Sequence, residues 1–283
     1  MGIKKLTDNE FKKIRKLVYE NIGVNLTEKK RALIISRLSR RLRKLNLYTF
    51  NEYIKYLNNN SEEIETFFNL ITTNVTHFFR EENHFNYLRD IYLPELKQQE
   101  NKIIRVWSAG CSTGEEPYTL ALVLYEYFKE KNHQINILAS DINTDVLNRA
   151  AIGIYKKEAV ENISYEMLTT HFKLGIGKNK GLFKIKDHIK KLVTFKKINL
   201  TTVKKFPIKK KLDIIFCRNV FIYFNQKTQR QVLNKFHDYL KANGRLFMGH
   251  SERINPEKCG NKCWQMCKPT IYRPILGNKG GIN

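Results

Sequence analysis

Two adjacent carboxylates, Glu115 and Glu116, close a loop of small residues, Ala109-Gly110-Cys111-Ser112-Thr113-Gly114, that follows the β-branched run "IIRVW". Strand, glycine-bearing loop and amphipathic helix are how α/β proteins hold a cofactor. The loop lacks the lysine–serine ending of a phosphate-cradling P-loop and the three-glycine spacing of a dinucleotide fingerprint. Its two glutamates would also repel a pyrophosphate at the helix start. A cationic cofactor reverses that sign. S-adenosylmethionine carries a sulfonium and an ammonium, both attracted by a carboxylate. Asp141 ends the next strand-like run, "QINILASD", where an acid accepts hydrogen bonds from ribose hydroxyls. Glutamates in a first helical turn also complement the helix dipole. That reading suffices for Glu115; the set of loop, Glu116 and Asp141 points to S-adenosylmethionine and methyl transfer.

These groups need a scaffold, and the pattern supplies one from Ile103 onward. The runs "KIIRVWSA", "QINILASD", "LVTFKKINL", "LDIIFCRN" and "RLFMGHS" read as strands. Between them "EPYTLALVLYEYFK", "NTDVLNRAA" and "KTQRQVLNKFHDYLKANG" read as helices, the last ending at Gly244. Such alternation predicts a doubly wound α/β sheet with right-handed crossovers. Ligands of such sheets sit beyond the carboxyl ends of the strands. Ser108 to Glu116, Asp141, Asn199 with Leu200, and Arg218 with Asn219 are thereby gathered around one crevice. Residues 174–193 break the alternation. Two short β runs around a turn with Gly175 and Gly177 predict a small hairpin inserted in the sheet domain.

Met1 to about Arg80 reads as all-helical. Thr7 and Glu10 form a capping box for the first helix, and Gly23 stands just past its end. In the second, from about Thr27 to Leu45, Ile35, Leu38, Leu42 and Leu45 predict a buried stripe. Lys30, Arg37, Arg41 and Lys44 form a basic stripe on another face, with Arg40 and Arg43 beside it.

The chain of 283 residues carries a formal net charge of +24, which steers it toward a polyanion or an acidic protein surface. With 42% hydrophobic residues it is globular, and no apolar run is long enough for a membrane span or a signal core. The expectation is a cytoplasmic protein, with nothing demanding more than a monomer. Five cysteines do not form a disulfide scaffold. Cys259, Cys263 and Cys267, with His237 and His250 upstream, lack the paired spacing of a zinc knuckle, so no metal is expected.

Four segments in order resemble the chemotaxis receptor methyltransferases, the CheR family: "TTNVTHFFRE", "WSAGCSTGEEPY", "FCRNVFIYF" and "GHSE". "ASDI", "GIY" and a final "IYRP" fall in register with them. The resemblance implies a protein-glutamate O-methyltransferase that uses S-adenosylmethionine. It implies an all-α N-terminal domain, residues 1–80, and a Rossmann-like catalytic domain, residues 81–283, carrying a β-subdomain at 174–193. The family's cofactor residues fall on Asn74, Thr76, Arg80, Glu116, Asp141, Asn199, Leu200, Arg218 and Asn219, and Gly110 lies in the matching loop. Its active-site tyrosine falls on Tyr223, and Arg80 joins it at the reacting centre. Lys30, Arg37, Arg41 and Lys44 are then expected to dock acidic receptor helices. The hairpin with Gly175 and Gly177 is expected to add a strand from the receptor's C-terminal peptide. The competing readings are a nucleic-acid methyltransferase, suited to the charge, and a non-catalytic S-adenosylmethionine sensor. No Asp/Asn-Pro-Pro-aromatic tetrad or convincing catalytic cysteine favours the former.

Overall fold

The computed structural model describes residues 3–98, 102–131, 133–254 and 262–275. The N-terminal part is helical: α1 (Asp8–Ile22), α2 (Arg31–Lys44), α3 (Phe50–Asn59) and α4 (Ser61–Ile71). Thr7 caps α1 through the expected box with Glu10, and Gly23 ends it at φ 68°. The buried stripe of α2 is Ile34, Leu38 and Leu42. Ile35 and Leu45, expected there, are only partly buried at its flank. These side chains meet Phe11, Ile14 and Val18 of α1 and Tyr53 and Phe67 of α3 and α4 in a core of their own.

A helix unforeseen in the sequence follows. α5 (Glu82–Tyr87) passes through a π turn, Leu88–Tyr92, into α6 (Leu93–Lys97). It covers the sheet with Phe85, Leu88, Tyr92 and Leu93.

Ten strands follow among the described residues: β1 (Ile103–Ala109), β2 (Gln134–Asp141), β3 (Ile154–Lys156), β4 (Phe172–Leu174), β5 (Leu182–Ile185), β6 (Val193–Lys197), β7 (Leu212–Cys217), β8 (Leu240–Met248), β9 (Trp264–Lys268) and β10 (Ile271–Pro274). The intervening helices are α7 (Glu115–Phe128), α8 (Thr144–Ile152), α9 (Tyr165–His171), α10 (Asp187–Lys190) and α11 (Gln226–Tyr239). The main sheet runs β6-β2-β1-β7-β8-β10-β9. Its first five members are parallel, and β10 is antiparallel to both β8 and β9. The first strand in sequence thus lies near the middle. Winding reverses on either side of β1, and the crevice opens above the carboxyl ends of β1 and β7.

Two expectations shift. α11 stops at Tyr239, well before Gly244, because Leu240 turns extended and pairs with Leu212 of β7. The hairpin is β4 and β5, so it begins at Phe172; β3 joins it in a three-stranded sheet of order β3-β5-β4. The short helix α10 occupies the stretch assigned to its second half.

The two parts of the chain are pinned together by side-chain amides. Asn69 of α4 exchanges hydrogen bonds with Thr144, its Nδ2 donating to Oγ1 at 3.1 Å and its Oδ1 accepting from the backbone N–H at 3.2 Å. Nδ2 of Asn143 donates to Oγ1 of Thr72 at 2.7 Å.

Candidate active site

One cavity of about 1340 Å³, partly open to solvent, lies between the helical part and the carboxyl ends of β1, β2 and β7. All ten cofactor positions expected from the sequence line it: Asn74, Thr76, Arg80, Gly110, Glu116, Asp141, Asn199, Leu200, Arg218 and Asn219. Tyr223 and Lys30 line it too, with Nζ of Lys30 5.4 Å from the centre of the Tyr223 ring.

The floor is the β1–α7 loop. Gly110 has φ 87°, and a Cβ there would fall 2.4 Å from Cγ2 of Val220, so only glycine lets these walls approach. The N–H of Ser112 donates to Oδ2 of Asp141 at 2.9 Å, and that of Asn143 to Oδ1 at 3.0 Å. Burial nevertheless pushes the Asp141 carboxyl above its usual range, against these bonds. The two glutamates part ways. Glu115 turns aside to accept from Oγ1 of Thr113 at 2.7 Å and does not reach the cavity. Glu116 faces the cavity: its Oε1 accepts from Oγ of Ser108 at 2.8 Å, and its Oε2 lies 3.4 Å from Nε of Arg218. Burial raises the Glu116 carboxyl and Arg218 opposes it.

Arg218 is the hub. Its side chain is 1% exposed, donates to the carbonyl of Arg80 through Nη2, and lies 3.6 Å from Oε2 of Glu81. Burial lowers its guanidinium, and the neighbouring carboxylates of Glu116 and Glu81 oppose the shift. Arg80 itself donates to the carbonyl of Val75 at 2.9 Å. Phe79 and Glu81 on either side have φ 53° and 57°, Ser112 has 49° and Asn219 57°. Left-handed backbone at non-glycine positions costs on the order of 1–3 kcal/mol each, and two of these four, Ser112 and Asn219, line the cavity while Phe79 and Glu81 flank Arg80.

Two parts of the site were missed by sequence reasoning. The loop after α1 forms a wall with Val24, Asn25 and Leu26. It is stitched to the catalytic domain by a bridge from Val24 to Phe224 and by the N–H of Asn25 donating to the carbonyl of Tyr223 at 2.7 Å. The second is Glu252, buried beneath the Arg218–Tyr223 segment. Its carboxylate accepts from the N–H groups of Gly249 (2.7 Å), Asn219 (2.9 Å) and Ile222 (3.2 Å). The "GHSE" segment contained it without showing its task.

The basic stripe of α2 divides. Nη1 of Arg37 donates to the carbonyls of Leu70 (2.9 Å), Ile71 (3.2 Å) and Thr72 (2.7 Å) at the end of α4. Arg41 grips Glu63 with Nε at 2.9 Å and Nη2 at 2.5 Å. Both arginines are thereby committed to internal partners. Lys44 remains exposed, as do Arg40 and Arg43. Gly175 and Gly177 lie in the β4–β5 turn, away from the cavity. Cys263 is exposed and Cys267 partly buried; Cys259 lies outside the described residues.

The donor set fits S-adenosylmethionine. Two buried carboxylates, Glu116 and Asp141, face a cavity whose glycine loop leaves room for close approach, and burial has raised both, so positive charge or hydroxyl donors are favourable there. Comparison with known proteins agrees. Residues 9–72 match the family model described as CheR methyltransferase, all-alpha domain, and residues 74–268 match CheR methyltransferase, SAM binding domain. A chemotaxis protein methyltransferase of Borreliella burgdorferi is 43% identical over 95% of each chain. That of Escherichia coli K12 is 40% identical, covering 88% of this chain and 86% of its own. The chain belongs to the CheR family of S-adenosylmethionine-dependent chemotaxis methyltransferases.

Proposed function

We propose that the protein esterifies glutamate side chains of chemotaxis receptors, forming glutamate methyl esters in sensory adaptation. The observation that carries this reading is the presence of Arg80 and Tyr223 on the same cavity as Glu116 and Asp141. When bound, S-adenosylmethionine supplies an electrophilic methyl group on a sulfonium. A glutamate carboxylate has a reference pKa of about 4.3, so the acceptor is already ionised at neutral pH and needs no general base. The protein's task is alignment and exclusion of water. Glu116 and Asp141 hold the cofactor's cationic and hydroxyl groups, with Asn74, Thr76, Asn199, Leu200 and Asn219 completing the walls. Arg80 and the Tyr223 hydroxyl position the incoming carboxylate. Arg218 braces Glu116 and the Arg80 backbone from behind.

The test uses methyl-labelled S-adenosylmethionine and receptor-bearing membranes, with methanol released by mild alkali as the readout. Alkali-labile label is expected, cut at least about tenfold by Arg80→Ala and by Tyr223→Phe through loss of one positioning bond. Alkali-stable label, or label only on added RNA, overturns the reading. Cofactor binding with no acceptor labelled, beside a working control enzyme, favours the sensor.

Docking of acidic receptor helices falls to the exposed basic residues of α2. Lys44, Arg40 and Arg43 form that face, with Lys30 beside the cavity mouth. Exposed pairs act mainly on encounter rate and salt dependence. Replacing Arg40, Arg43 and Lys44 by Ala is expected to slow receptor labelling at low salt and to leave the rate at high salt nearly unchanged. Equal rates at both salts would remove this face from consideration. The tether reading rests on β3 and β4, the two edges of the small sheet, where a peptide strand can add beside the Gly175–Gly177 turn. Receptors shortened by their last residues should then be labelled more slowly in the same assay; an unchanged rate would dismiss it.

A further inference from the structure

Beside the cavity, two side chains from the start of α5 and one from the segment after β8 bring lone pairs to one point. Nδ1 of His84 lies 3.5 Å and Nε2 of His250 3.8 Å from Oε2 of Glu81. All three atoms lie within 4.8 Å of one another. The tautomer of His84 is set from its far side. Nε2 is 2.8 Å from Oγ1 of Thr270, and that hydroxyl donates its only hydrogen to the carbonyl of Pro269 at 2.7 Å. With that bond kept, the Thr270 oxygen accepts, the His84 ring proton is assigned to Nε2, and Nδ1 is left as an acceptor. It faces a carboxylate oxygen, which is another acceptor. Both atoms are buried without a hydrogen-bond partner, in side chains 0% and 11% exposed. Arg218 serves the carboxylate oxygen from 3.6 Å, but the desolvated His84 acceptor stays costly unless a cation reaches it.

We propose that Glu81, His84 and His250 form a binding site for a divalent transition-metal ion of the zinc class, at the rim of the cofactor cavity. Bonds of about 2.0–2.1 Å in a tetrahedral zinc centre put ligand atoms roughly 3.3 Å apart. The two separations from Glu81, 3.5 and 3.8 Å, contract by a few tenths of an ångström to reach that geometry, and the exposed His250 ring supplies the remaining movement between the two histidines. The bond from His84 to Thr270 is the outer contact that orients metal-bound histidines in general. His250 is 58% exposed, so its ring turns and changes tautomer freely to release Nε2 from Asn83, whose Oδ1 is 3.1 Å away. Arg218 lies 3.6 Å from the same Glu81 oxygen, but its charge is shared with Glu116 and Glu252, so carboxylates outnumber it.

Cobalt(II) titration of the full-length protein tests this. The expected result is one equivalent bound with the visible bands of a four-coordinate nitrogen–oxygen site, no thiolate charge-transfer band, and displacement by zinc. His250→Ala, an exposed position whose loss leaves the metal-free melting temperature unchanged, is expected to weaken binding at least about tenfold. Replacing Cys259, Cys263 and Cys267 by Ser is expected to leave the spectrum intact. A thiolate band that vanishes with the cysteines, a titration indifferent to His250→Ala, or no binding at all overturns the proposal.

Discussion

Arg41→Ala is expected to destabilise the helical domain by about 3–5 kcal/mol, the cost of stranding one partner of a buried ion pair. Glu63, a 4% exposed side chain, is held bidentately by Arg41, and its Oε1 also accepts from the Tyr53 hydroxyl at 2.7 Å. Burial alone would raise the Glu63 carboxyl; Arg41 and Tyr53 outweigh it and leave it below its usual value. The folded pKa is therefore depressed. The pair's contribution is present above the unfolded value of about 4.3 and is lost as pH falls through the lower folded one. Without Arg41 only Tyr53 and Lys44 are left to oppose burial, so the carboxyl rises. The variant's deficit in melting temperature should then shrink on acidification below about pH 4. A variant melting like the wild type at every pH would show Arg41 to be a surface residue, free for receptor docking. Arg41 is thus a poor reporter of docking: its loss lowers receptor labelling through the fold itself.

Glu252→Gln is expected to weaken cofactor binding and slow transfer by about a hundredfold, with a smaller loss of stability. Three backbone N–H groups converge on this carboxylate, two of them on one oxygen. An amide can satisfy those two with its oxygen, but its NH2 then meets the N–H of Ile222, donor against donor. One unsatisfied buried donor costs about 1–3 kcal/mol. The greater effect is positional. Asn219 sits at φ 57° with its N–H anchored by Glu252, and Arg218 precedes it while Tyr223 follows shortly after. A misplacement of about 1 Å can cost on the order of a hundredfold in rate. Calorimetric titration with S-adenosylmethionine, set beside the melting temperature, separates the two effects. If affinity and rate fall only in proportion to the folded fraction, Glu252 is a structural residue and no more.

How much of this could be read from the sequence follows from the range of the interactions. The cofactor wall was legible because strand-end loops of a doubly wound sheet must converge, so Gly110, Glu116, Asp141, Asn199 and Arg218 meet by topology and Asn74, Thr76 and Arg80 by motif. Burial stripes were legible to within a residue, as Ile34 in place of Ile35 shows. The roles of Arg37 and Arg41 were hidden. Periodicity puts them on a polar face of α2, but it cannot show that α4 ends there with carbonyls lacking helical partners and a buried Glu63, both needing donors. Glu81, His84 and His250 were hidden for a related reason. Glu81 and His84 stand three residues apart, but His250 lies just past β8, far along the chain, and only the fold unites the three. Attention to the closely spaced cysteines pointed away from them.

The amide clasp between Asn69, Thr72, Asn143 and Thr144 has one further consequence. The walls of the cavity belong to different hydrophobic cores, and polar contacts such as this clasp and the bond from Asn25 to Tyr223 hold the cores in register. A ligand touching both walls binds the clasped arrangement better than a loosened one, and linkage makes that preference mutual. A cofactor that touches both walls would therefore tighten the seam between the halves, and slackening the seam would raise the concentration of cofactor needed to fill the site. The helical domain works as one jaw of a vice whose grip is set by what it holds.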